Sequence, residues 1–125
     1  MTIKKILVVD DSPTERYALL EFLSKQGFNV VAAESGEEAL VKSKTEMPDL
    51  IIMDVVMPGM NGYQLAQAIR QAEQSRGEPG CLLLGFTANA VAEEKQRCLA
   101  AGMNDCLFKP ISLEQLSARL QPLQT

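Results

Sequence analysis

The chain alternates short apolar runs with longer amphipathic stretches. Ile6–Val9 is a β-rich apolar run that ends at the paired Asp10 and Asp11. Ser12-Pro13-Thr14-Glu15 then predicts a helix start, with Ser12 as N-cap, Pro13 as first helical residue and Glu15 completing a capping box. This helix should run to about Gln26, burying Ala18, Leu19, Phe22 and Leu23, with Gly27 just past its end. Val30–Ala33 predicts a weaker second strand. Ser35-Gly36-Glu37-Glu38 repeats the capping pattern and opens a second helix ending near Lys44. Leu50–Met53 is a third strand, bounded by Pro48 and the turn-rich Met57–Gly62, and a third helix follows from about Tyr63 to Gln74. The polar stretch Gln74–Gly80 predicts a loop. Cys81–Phe86 is a fourth strand, roughly Val91–Ala101 a fourth helix stopped by Gly102, and Cys106–Phe108 a short fifth strand. Ser112, with Gln115 three residues on, opens a last helix that stops before Pro122.

Five strand–helix units in 125 residues predict one α/β domain, spanning residues 1–125, around a parallel sheet. Strands one and three lack polar alternation, as expected where helices cover both faces of the sheet. Right-handed crossovers then favour a doubly wound arrangement, which takes its ligands at the carboxyl ends of the strands.

Those ends carry the polar residues. Asp10 and Asp11 follow strand one, Asp54 strand three, Thr87 strand four and Lys109 strand five. Each has an ordinary reading alone: a helix cap, a turn residue, a solvated lysine. Their convergence on one edge of the sheet argues for function. Three neighbouring carboxylates repel unless a cation neutralises them, and an all-oxygen site suits Mg²⁺ or Mn²⁺. A lysine and a hydroxyl opposite the carboxylates are what a transferring phosphoryl group requires.

Composition narrows the choice. A net charge of −4 argues against a general nucleic-acid binder. No apolar stretch approaches the ~18 residues of a membrane span, and none of signal-peptide type opens the chain, so a cytoplasmic protein is expected. Cys81, Cys98 and Cys106 suggest neither a disulfide framework nor a zinc site, and reduced thiols are expected. Met53, Met57, Met60 and Met103 read as packing or loop residues. The chain has no histidine, which rules out histidine triads and histidine metal sites and makes any phosphohistidine donor a separate molecule.

The segments ILVVDDS, LIIMDVVMPGMNG, GFTA and CLFKPI resemble the signatures of bacterial response-regulator receiver domains, over essentially the whole chain. The resemblance implies a flavodoxin-like sheet of five parallel strands in the order 2-1-3-4-5, with five helices. It implies that Asp54 is the phospho-acceptor, Asp11 a direct metal ligand, Asp10 a ligand through water and Val56 a ligand through its backbone carbonyl. Thr87 and Lys109 would contact the attached phosphoryl group. A histidine kinase or histidine phosphotransfer protein would be the donor, and an effector protein would read the face made by helix 4, strand 5 and helix 5. Three residues before Lys109, where receivers usually carry Tyr or Phe, stands Cys106. It reads first as a buried structural cysteine, with a redox role as the alternative.

Residues up to about Arg70 resemble stand-alone regulators of the twitching-motility type, whereas the part from Cys81 onward resembles receivers of hybrid virulence sensor kinases. That mismatch raises the expectation of a mosaic with its seam near Gln74–Gly80. The initial Met and the absence of an appended domain lean toward a stand-alone protein. Two rival classes fit less well. A haloacid-dehalogenase-type phosphatase places a second Asp two residues after its nucleophile, where this chain has Val56, and a flavodoxin-type binder needs a first loop less acidic than DDSPTE. A receiver-like domain that is never phosphorylated is the remaining alternative.

Overall fold

The computed structural model describes residues 3–57, 59–77, 80–87 and 92–108, together with 114, 116 and 118. Five strands, β1 (Lys5–Val9), β2 (Asn29–Ala33), β3 (Leu50–Asp54), β4 (Leu82–Thr87) and β5 (Asp105–Phe108), form one sheet in the order β2-β1-β3-β4-β5. Every neighbouring pair is parallel, with Val9 level with both Ala33 and Met53, and Asp54 level with Phe86. Between them run α1 (Pro13–Lys25), α2 (Gly36–Thr45), α3 (Gly62–Arg76) and α4 (Ala92–Ala100). The fold is the flavodoxin-like sheet expected from the sequence. Of the expected fifth helix, Glu114, Leu116 and Ala118 are helical, while its Ser112 start lies outside the described residues.

Alternation along the strands sorts side chains to the two faces. Leu7, Val9, Ile51, Met53, Leu83 and Cys106 pack with Ala39 of α2, Leu65, Ala66 and Ile69 of α3, and Cys98 of α4. Ile6, Val8, Leu50, Ile52, Leu84, Phe86 and Leu107 pack on the other face with Leu19 and Leu23 of α1 and with Leu116. Because both faces are covered, Ile6–Val9 of β1 and Leu50–Met53 of β3 are apolar without a break. β2 is an edge strand and only partly buried over Val30–Ala32, which is why its sequence signal is weaker. Met53, Met57 and Met103 are buried and Met60 is partly buried against the same core, as expected of packing residues.

Helix starts follow the local sequence. Ser12 Oγ accepts from the Glu15 N–H, Ser35 Oγ from the Glu38 N–H, and Asn61 with Gln64 forms a complete capping box. That last box begins within the Met57–Gly62 stretch whose composition predicts a turn. One boundary differs more. The loop expected from Gln74 begins later, because α3 continues to Arg76 and stops at Gly77, whose φ of 66° is left-handed. Within that last turn, Glu73 ties the helix to the start of β4. Its carboxylate accepts from the Cys81 N–H at 2.8 Å and from Arg70 at 2.9 Å.

Candidate functional site

Parallel register brings β1 and β3 to an end at the same level: Val9 pairs with Met53, so Asp10 and Asp54 stand side by side as the chain leaves the sheet. Both are buried, at 1% and 8% exposure. Thr87 ends β4 level with Phe108, and is likewise buried. Lys109, the next residue along from Phe108, lies outside the described residues.

Each aspartate is fixed by the turn that follows it. Asp10 accepts from the Ser12 N–H at 2.9 Å, and its carbonyl accepts from Arg16 at 2.8 Å. Asp54 Oδ1 accepts from the Val56 N–H at 3.0 Å, which orients the carboxylate at the strand end. Val56 itself is exposed, on the loop that runs toward α3. Gly62 closes that loop from behind. A Cβ there would lie 2.6 Å from Val55 Cα and 2.9 Å from the Asp54 carbonyl oxygen, so the start of α3 sits against the backbone of the strand end. The Met60 N–H donates to Glu37 of α2 at 3.2 Å and ties the same loop to a second helix.

A third carboxylate joins the first two. Asp10, Glu15 and Asp54 each offer an oxygen within 4.8 Å of the others, a group that could hold a metal ion. The sequence predicts that Glu15 completes a capping box with Ser12. Its backbone N–H does donate to Ser12, but its carboxylate is turned toward the aspartates. The signal available in the sequence was an acidic residue in the first turn of the helix that follows the Asp pair. Asp11 is exposed and lies outside this group of three. Burial pushes the Asp10 carboxyl up to about 7. The Ser12 N–H opposes that shift, and the neighbouring Glu15 and Asp54 carboxylates add to it. A buried acidic group of this kind is relieved by a cation, and its all-oxygen donor set suits a hard one.

Cys106 is buried in β5, and its Sγ lies 3.0 Å from Cys98 Sγ on α4. It fills the place of the expected aromatic with a small side chain enclosed in the core.

The chain matches the family model for the response regulator receiver domain over residues 6–121. It is 49% identical over 118 residues to the virulence sensor protein BvgS of Bordetella bronchiseptica, a match that covers 93% of this chain and 10% of that one. The chain thus spans about a tenth of the length of the sensor protein it matches, and the matched stretch includes the α3–β4 connection. Among solved structures, the chemotaxis response regulator CheY4 of Vibrio cholerae superposes with a TM-score of 0.85 at 36% identity, covering 98% of this chain and 99% of that one. The receiver domain of the Saccharomyces cerevisiae response regulator Ssk1, crystallised with the histidine phosphotransfer protein Ypd1, superposes with a TM-score of 0.89 at 29% identity, covering 95% and 88%. No helix among the described residues is long and apolar enough to cross a membrane. Fold, strand-end carboxylates and family match agree, and the chain belongs to the response regulator receiver domains of two-component and phosphorelay signalling.

Proposed function

We propose that Asp54 is the phospho-acceptor of this receiver, with a divalent cation, Mg²⁺ or Mn²⁺, held beside it by Asp10, Asp11, Asp54 and the Val56 carbonyl. The observation that carries the reading is the pairing of two buried strand-end carboxylates, Asp10 and Asp54, with a third from Glu15 close by. Glu15 extends the acidic shell beyond the set expected from the sequence. Asp11, one residue past Asp10 and exposed, enters the set through the resemblance to receiver domains. Bound there, the cation supplies charge neutralisation for the incoming phosphoryl oxygens.

The residues divide the remaining work. The Val56 N–H holds one Asp54 oxygen and aims the carboxylate outward from the strand. An Asp54 oxygen attacks phosphorus in line, the P–O bond forming as the P–N bond of a partner's phosphohistidine breaks. Thr87 donates its hydroxyl to the transferred group and Lys109 its ammonium. The chain has no histidine, so the donor is another molecule, a histidine kinase or a histidine phosphotransfer protein. Ssk1, crystallised with Ypd1, supports the second kind.

The new phosphoryl group carries a charge of about −1.5 to −2, by analogy with phosphoserine, in place of the single charge of the free carboxylate. Thr87 and the following segment respond, and a two-state equilibrium shifts at the face formed by α4, β5 and the last helix, where an effector protein binds. The domain is a switch whose only chemistry is its own phosphorylation and slow dephosphorylation. The same reading makes it a single domain over residues 1–125, working in the cytoplasm, where thiols are ordinarily kept reduced.

Mixing the chain with a phosphohistidine-bearing phosphotransfer domain tests the reading. The expected result is stoichiometric transfer to a hydroxylamine-labile acyl phosphate. Release of many equivalents of phosphate from simple esters would instead make it a phosphatase.

A further inference from the structure

We propose that Cys98 and Cys106 form a redox modification site, closing to a disulfide that ties α4 to β5 when a hydroperoxide is present. The two sulfurs come from different elements, on opposite sides of a tight turn, and stand 3.0 Å apart. A disulfide bond measures about 2.05 Å, so roughly an ångström of approach completes it. The third cysteine, Cys81, precedes β4 and is half-buried.

The turn between them makes the approach a fixed property of the chain. The Met103 N–H donates to the Cys98 carbonyl at 3.0 Å and the Gly102 N–H to the Leu99 carbonyl at 3.1 Å, with Gly102 at a φ of 106°. These are the paired bonds of a Schellman cap. Asn104 then anchors the returning chain, its N–H donating to the Leu83 carbonyl at 2.8 Å. The cap therefore folds the chain back so that Cys106 enters β5 beneath the last turn of α4.

The chemistry needs only the two thiols and the peroxide. One sulfur, as thiolate, attacks a peroxide oxygen; the S–O bond forms, the O–O bond breaks and the alcohol leaves with a proton. The second sulfur attacks the sulfenic sulfur, the S–O bond breaks and water leaves. Two thiols and one hydroperoxide thus give one disulfide, one alcohol and one water. Burial pushes both thiols above the ordinary cysteine range, which keeps the reaction slow in the folded domain. Once formed, the bond removes the freedom of α4 to shift along β5.

The full chain, unphosphorylated so that the outcome is independent of the role of Asp54, is treated with hydrogen peroxide, alkylated and cleaved before Asp105. We expect intact mass to fall by two hydrogens and one cysteine, Cys81, to remain alkylatable. The fragments on either side of the cut should stay joined until dithiothreitol is added, and the melting midpoint should rise reversibly. Cys81→Ser keeps the linkage, while Cys98→Ala and Cys106→Ala each abolish it. A disulfide that includes Cys81, or a Cys98–Cys106 linkage formed only in urea, overturns the proposal.

Discussion

Gly62 lies directly against Val55: a methyl group at position 62 would come within 2.6 Å of Val55 Cα. The contact joins the first turn of α3 to the residue after Asp54, so packing at the helix start sets where the strand-end carboxylate points. Gly62→Ala should therefore destabilise the domain by about 1–3 kcal/mol through overpacking. It should also slow phosphoryl uptake by more than that loss of folded population explains. Urea denaturation alongside the rate of labelling by acetyl phosphate separates the two effects.

Asp10 carries opposite consequences for stability and for metal binding. Its burial disfavours the charged form, and the neighbouring carboxylates add to that. Asp10→Asn removes the charge while keeping the shape. In chelator, the variant should be more stable by about 1 kcal/mol or more. Its Mg²⁺ affinity, by titration calorimetry, should fall at least about tenfold. A variant that loses stability in chelator would show that the Asp10 charge is already compensated within the chain.

Far from the strand ends, Arg70 makes four hydrogen bonds. It donates to the Gly102 and Cys81 carbonyls, to Glu73 and to Asn104, at 2.8–2.9 Å. These join α3 to the start of β4 and to the turn before β5. Arg70→Met, which keeps the aliphatic stem, should cost about 2–4 kcal/mol by leaving part-buried acceptors unpaired. Urea denaturation measures that loss, and acetyl-phosphate labelling under strongly folding conditions should be nearly unchanged.

Glu73 gives that network a pH signature. Burial raises its pKa, but the Cys81 N–H and Arg70 outweigh burial and bring it below its ordinary 4.5. The folded state thus binds the proton less readily than the unfolded state. The stabilisation is fully present above about 4.5 and is lost as pH falls toward the depressed folded value. Glu73→Gln should flatten that acid limb while lowering stability at neutral pH. Melting temperature followed from pH 7 to about pH 3 shows both.

The strands and their terminal carboxylates were legible in the sequence because a doubly covered sheet forces unbroken apolar runs, and Asp10 and Asp54 stand where those runs stop. Three features were not. The last turn of α3 has a polar composition that suits a loop equally well, and the bond from the Cys81 N–H to Glu73 that ties it to the start of β4 comes from a residue distant in sequence. Glu15 fits a local capping pattern, so its position in the first turn after the Asp pair reads as a cap, and its approach to Asp54 depends on a strand distant in sequence. The contact between Cys98 and Cys106 depends on a helix, a Schellman turn and a strand acting together, and neither helical nor strand periodicity relates those positions.

The central claim is that Asp54 takes up the phosphoryl group, with a divalent cation at the neighbouring carboxylates. Intact-protein mass spectrometry after incubation with acetyl phosphate and Mg²⁺ addresses it most directly. The account predicts one added phosphoryl group per chain, absent when Mg²⁺ is chelated before acetyl phosphate is added and absent in Asp54→Asn. Uptake by Asp54→Asn equal to that of the native chain, or no uptake by the native chain at saturating Mg²⁺, would contradict it.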